Sequence, residues 1–155
     1  MLTIGIDPGQ KGGIAILDDS GVCIAYTAMP ETPRQIWQWI VDAMPHRRGQ
    51  IVIERAQPMP KQGVVSVFTY GCHFGQFEML AIALSLPYIE VRPQVWKKHI
   101  GVSADKYTSI LMCERLHPEV NLVRKGCRKP HDGIAEAVLI GDYGRSLNDA
   151  RREIQ

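Results

Sequence analysis

Apolar residues come first in short runs between turn residues. Residues 2–7 (LTIGID) form one run ended by Pro8-Gly9, residues 13–18 (GIAILD) form a second, and VCIAYT follows the turn Asp19-Ser20-Gly21. This pattern predicts three strands joined by tight turns. The periodicity then changes: in TPRQIWQWIVDAM, Thr32 can cap, Pro33 suits a first turn, and Ile36, Trp37, Ile40, Val41 and Met44 recur at helical spacing. IVIE at 51–54 is apolar up to its acid, as expected of a buried parallel strand reached by a crossover.

Two prolines and a glycine in AQPMPKQG make 56–63 a loop. From Val64 to Leu86 the chain reads as a long helix, in which Gly71 and Gly75 would permit close helix approach, in the core or across a dimer. YIEV at 88–91 is a further strand, and Pro93 opens a short helix through His99. DKYTSILMCERLHP predicts a helix with Ile110, Leu111, Cys113 and Leu116 on one side, and HDGIAEAVLIGDYGRSL predicts a final helix of about four turns. The expectation is one α/β domain over 1–148, with a mixed five-stranded sheet and a polar tail at 149–155 that frays.

At 155 residues and 45% apolar composition, the chain can build a core without disulfides. Cys23, Cys72, Cys113 and Cys127 form no Cys-x-x-Cys pair, which speaks against a zinc knuckle and for a reducing compartment. No stretch has the make-up of a signal peptide or a membrane span, so a cytoplasmic or nucleoid-associated protein is expected, without membrane partners. Net charge is only +2, but the bases cluster: Arg124, Lys125, Arg128 and Lys129 in one acid-free loop, and Lys97, Lys98 and Lys106 in a second group.

The carboxylates carry the chemistry. Asp7 ends the first strand and Glu54 ends IVIE; if these strands are parallel neighbours, both acids emerge at one sheet edge. Asp132 and Glu136 lie four apart at the start of the last helix and so share a face. Singly, Asp7 reads equally as a turn residue, Glu54 as a partner for Arg55 and Asp132 as a helix cap. Glu136 is different, because its neighbours are small or apolar nearly all round, and a buried carboxylate facing another acid needs a cation. Oxygen ligands alone favour Mg²⁺, with Mn²⁺ as substitute, and two such ions suit phosphodiester hydrolysis. Neither a nucleotide-binding loop nor a serine-hydrolase elbow is present, and His131 reads as a group supporting the acids, a cap or a surface residue.

On these residues the chain resembles the RuvC-like Holliday-junction resolvases, above all phage and chloroplast-type members. IGIDPGQKGGIAIL, IVIERAQPMPKQG, YGCHFGQFEMLAIAL, VRPQVWKKHIG, SADKYTSILMCERLHP and KPHDGIAEAVLIGDYGR follow the family's order. The resemblance implies a ribonuclease H-like fold with helices on both sheet faces and a homodimer that nicks four-way DNA junctions symmetrically with two Mg²⁺ ions per site. It also implies that Asp7, Glu54, Asp132 and Glu136 are the catalytic metal ligands. The spacing of the last two departs from bacterial resolvases, which leaves open which of His131, Asp132 and Glu136 touches metal. Gln57, Met59 and Lys61 fall where the family enters the junction centre, and Lys97, Lys98 and Lys106 where it holds phosphates. Other readings are a nuclease of this fold acting on RNA or other branched DNA, a non-catalytic junction-binding protein, and half of an actin-like kinase fold, for which the chain is short.

Overall fold

The computed structural model describes residues 1–44, 46, 48–55 and 63–153. Five strands form one sheet in the order β3-β2-β1-β4-β5: β1 (Leu2–Asp7), β2 (Gly13–Leu17), β3 (Cys23–Ala28), β4 (Gly49–Glu54) and β5 (Tyr88–Val91). β1, β2 and β3 are antiparallel neighbours, as their short connections require. β4 runs parallel to β1 and β5 parallel to β4, after crossovers through α1 (Pro33–Ala43) and α2 (Val64–Ala83). The strand expected at 51–54 is thus the neighbour of the first, and it begins two residues earlier.

Alternation along the strands divides the core in two. Ile4, Ile6, Ile14, Ile16, Ile51 and Ile53 pack on one face against α1 and α2 through Ile36, Ile40, Phe77, Leu80 and Ala81. Ala15, Leu17 and Val52 face the other way, toward α3 (Pro93–Ile100), α4 (Lys106–Leu116) and α5 (Asp132–Glu153). Helices therefore cover both faces, and among the described residues no helix is long and apolar enough to cross a membrane.

Two helix faces differ from the sequence reading. On α4 the buried side is Ser109, Ile110 and Cys113, while Leu111 and Leu116 are exposed; both leucines lie off the arc that meets α5. On α1, Trp37 faces solvent beside the buried Ile36 and Ile40. Helix α5 also continues past Leu147 to Glu153. The pairs Arg145–Asp142 and Arg145–Asp149, one turn apart on its surface, support the extension.

α5 meets the sheet almost backbone to backbone. A Cβ placed on Gly5 would stand 2.1 Å from the Ala137 carbonyl oxygen, and one on Gly133 would stand 2.2 Å from that of Lys11. Only glycine permits these approaches, and they draw the first turns of α5 onto the ends of β1 and β2. Around Gly71 and Gly75, by contrast, no described neighbour comes within 4 Å of where a Cβ would stand, so these two mediate no packing among the described residues.

Candidate active site

Asp7 and Glu54 stand one step beyond the last register pair of β1 and β4, Ile6 with Ile53. Both alternate onto the face covered by α5, where Glu136, on the second turn of that helix, is 7% exposed. Asp7, Glu54 and Glu136 line one cleft of about 740 Å³, together with Lys106, the Gly9–Gly12 turn and one side of α2. Burial pushes the Asp7 carboxyl well above the usual carboxylate range, and the charges of Glu136 and Glu54 push it further; Lys106 opposes them, and Asp132 adds a smaller upward push. Burial likewise raises Glu54, against a hydrogen bond of 2.7 Å that Trp96 Nε1 donates to its Oε2.

Lysines neutralise the other two acids. Lys97 Nζ lies 2.6 Å from Glu136 Oε1, to which Ser109 Oγ also donates at 3.2 Å. Lys106 Nζ pairs with Asp132 Oδ2. Although burial alone would raise Asp132, this ammonium holds its carboxyl below the ordinary value. Asp132 belongs to the first turn of α5, at the edge of the cleft, and its charge reaches Asp7.

His131 caps α5: its Nδ1 accepts from the Ile134 amide at 3.2 Å. That commits one ring nitrogen, and burial together with the Arg124 charge holds the imidazole below its usual pKa. The capping role considered for Asp132 therefore falls to its neighbour. Arg55, the alternative partner for Glu54, pairs with Glu90 instead.

The predicted basic residues divide. Lys97 and Lys106 join the acids, and Lys98 is exposed on α3. Arg124 and Lys125 line a separate concavity beside β3 with Tyr26 and Asn121, and Arg128 and Lys129 are exposed on the same loop. Gln57, Met59 and Lys61 lie outside the described residues. Sequence reasoning missed Trp96, which holds Glu54, and Tyr70 and His73, which line the cleft from α2. The helical spacing of Ser66, Thr69, Tyr70 and His73 was the available signal.

Four carboxylates, one of them made reluctant to ionise first by burial and then by its acidic neighbours, suit a hard divalent cation. In the geometry shown, ammonium groups supply positive charge, and among the described residues no three His, Cys, Asp or Glu side chains are grouped to hold an ion.

No protein-family model matches the chain, and no curated protein matches it in sequence. Among solved structures it is similar to RuvC of Thermus thermophilus in complex with a Holliday junction substrate, with a TM-score of 0.70 and 16% identity over 96% of each chain. A second Thermus thermophilus RuvC structure gives a TM-score of 0.67 and 16% identity over 97% of each chain. Strand order, crossovers and the helix laid over β1 and β2 thus make up, along nearly the whole chain, the ribonuclease H-like fold of RuvC.

Proposed function

We propose that the protein is a metal-dependent endonuclease that resolves four-way DNA junctions by paired nicks, acting in the cytoplasm or at the nucleoid. The observation that carries this reading is the meeting of Asp7, Glu54 and Glu136 in one open cleft, on a fold shared with a protein solved in complex with a Holliday junction substrate. Asp7, Glu54, Asp132 and Glu136 are the residues that would hold Mg²⁺, or Mn²⁺ in its place, with two ions per site expected. Such ions, when bound, polarise the scissile phosphate and lower the pKa of an attacking water. The chain's own groups set the stage: Trp96 fixes one oxygen of Glu54, and Lys97 with Ser109 fixes one oxygen of Glu136. Lys106, on the cleft wall, pairs with Asp132 and so offsets the charge of the acids beside the path an entering phosphate would take.

Paired nicks require two sites, and α2 offers a surface for joining two copies. Val65, Phe68, Cys72, Gly75, Met79 and Ile82 follow the alternating three-four spacing of a coiled-coil seam. All six are exposed, Phe68 at 73%. An antiparallel pair about a two-fold axis sets Phe68 against the partner's Met79 and Cys72 against the partner's Gly75, a self-complementary match with its small residues at the centre.

The decisive experiment incubates the protein with a labelled four-way junction or matched linear duplex, in Mg²⁺ or EDTA. Symmetric nicks confined to the junction and dependent on Mg²⁺ are expected. Equal cutting of duplex or RNA favours another nuclease of this fold, and binding without cutting favours a non-catalytic junction binder.

A further inference from the structure

Helix α2 turns one side away from the chain and the other inward. The seam faces outward, and on the inward side Phe77, Leu80 and Ala81 of the C-terminal half enter the core. The N-terminal half of that inward side carries Ser66, Thr69, Tyr70 and His73, at the spacing of one helical face, and all four line the cleft with Asp7, Glu54 and Glu136.

This wall is made of hydrogen-bonding side chains, and none of the four is hydrogen-bonded to another described residue. His73 Nδ1 is buried without a partner. An orphaned lone pair costs less than an orphaned buried N–H, which favours the tautomer with its proton on Nε2. The Tyr70 ring packs over the turn after β1, its Cε2 3.7 Å from where a Gly9 Cβ would stand. Burial, then the charges of Glu54, Asp7 and Glu136, push the Tyr70 hydroxyl above its usual pKa, so it remains an O–H donor.

The type of donor matters beside so many carboxylates. A lysine on this wall would fold onto the acids, as Lys97 and Lys106 do, whereas a short hydroxyl or an imidazole N–H stays available to a phosphate oxygen. Serine, threonine and tyrosine hydroxyls are common donors to nucleic-acid backbones. The stripe runs about 10 Å along the helix, enough to reach two successive phosphates of one strand.

We propose that Ser66, Thr69, Tyr70 and His73 form a binding site for the sugar-phosphate backbone of the strand being cut, holding it from the side opposite the acids. This rests on the reading of the chain as a DNA endonuclease. It is tested by titrating a fluorescent four-way junction in EDTA, over a range of salt, with the wild type and a variant combining Thr69→Val, Tyr70→Phe and His73→Phe.

The expected result is a Kd raised at least about tenfold, since each lost neutral hydrogen bond weakens binding severalfold. The slope of log affinity against log salt should be unchanged, because no charged contact is removed. An unchanged Kd, or a shallower slope, overturns the proposal. Thermal melting checks the fold; if the combined variant melts early, Tyr70→Phe and Thr69→Val are titrated singly, each expected to raise Kd severalfold at an unchanged slope, and an unchanged Kd for both overturns the proposal. A wild type that neither binds nor cuts the junction overturns the endonuclease reading and this site with it. A wild type that does both while the variant matches it overturns this site alone.

Discussion

Asp7 is held where both burial and its neighbours disfavour its charge. Asp7→Asn is therefore expected to raise the melting midpoint in EDTA by a few degrees, of order 1 kcal/mol, while abolishing junction cleavage and preserving junction binding. Differential scanning fluorimetry and the cleavage assay check the two halves separately. Lys97→Met has the opposite signature, because it leaves the Glu136 carboxylate with only Ser109 as a hydrogen-bond partner among the described residues. A loss of about 3 kcal/mol in EDTA is expected, partly recovered by millimolar Mg²⁺, read by urea denaturation with and without the ion. At this scale the acids were legible for specific reasons: Asp7 and Glu54 end apolar strands, and Glu136 interrupts an apolar helix. The lysines were legible only as positive charge. That they sit on acids depends on how α3 and α4 pack against α5, which spacing within one segment does not encode. Trp96 was hidden in the same way, since a buried indole on a short amphipathic helix reads as core until its Nε1 is seen to reach Glu54.

Between elements, the glycine contacts of α5 fix where Asp132 and Glu136 stand relative to Asp7. Gly133→Ala would force a methyl group against the Lys11 carbonyl oxygen and the Gly12 backbone, neither of which has a flexible end that can yield. A destabilisation above about 3 kcal/mol is expected, measured by denaturant melting, whereas Gly71→Ala, on an open helix surface, should be neutral or slightly stabilising. Hydrophobic patterning found every strand and helix here because each buries at least part of one side. It failed to assign the faces of α2, whose moderately apolar or small residues almost all round blur the inward and outward sides. It also placed the end of α5 too early, since charged surface residues that look like a tail pair with one another once they are one helical turn apart.

Considered as one body, the molecule has a second titratable cluster far from the cleft. His117 is buried at the end of α4, with Nε2 2.5 Å from Asp142 Oδ2 and Nδ1 3.2 Å from Glu119 Oε1. Burial works against its charge, yet the hydrogen bonds and charges of Asp142 and Glu119 outweigh it and raise the imidazole above its ordinary pKa of 6.5. A group raised on folding stabilises fully below 6.5 and loses that contribution as pH climbs through the folded value. Melting midpoints should therefore fall with pH above neutrality, and His117→Gln should flatten that part of the curve. If α2 joins two copies, Phe68→Glu should give a folded monomer by sedimentation, because this ring is exposed in the single chain, and one that melts lower for want of the stabilisation that association supplies. The sheet, finally, is padded unequally. Six isoleucines separate it from α1 and α2, whereas glycine and alanine bring α5 directly against it. The thick layer can exchange one branched side chain for another at roughly 0.5–1.5 kcal/mol each, but the thin layer has no side-chain volume to give up. Random substitutions that survive selection for folding should thus accumulate on the isoleucine side, and the half of the protein that bears the acids should be the half least able to drift.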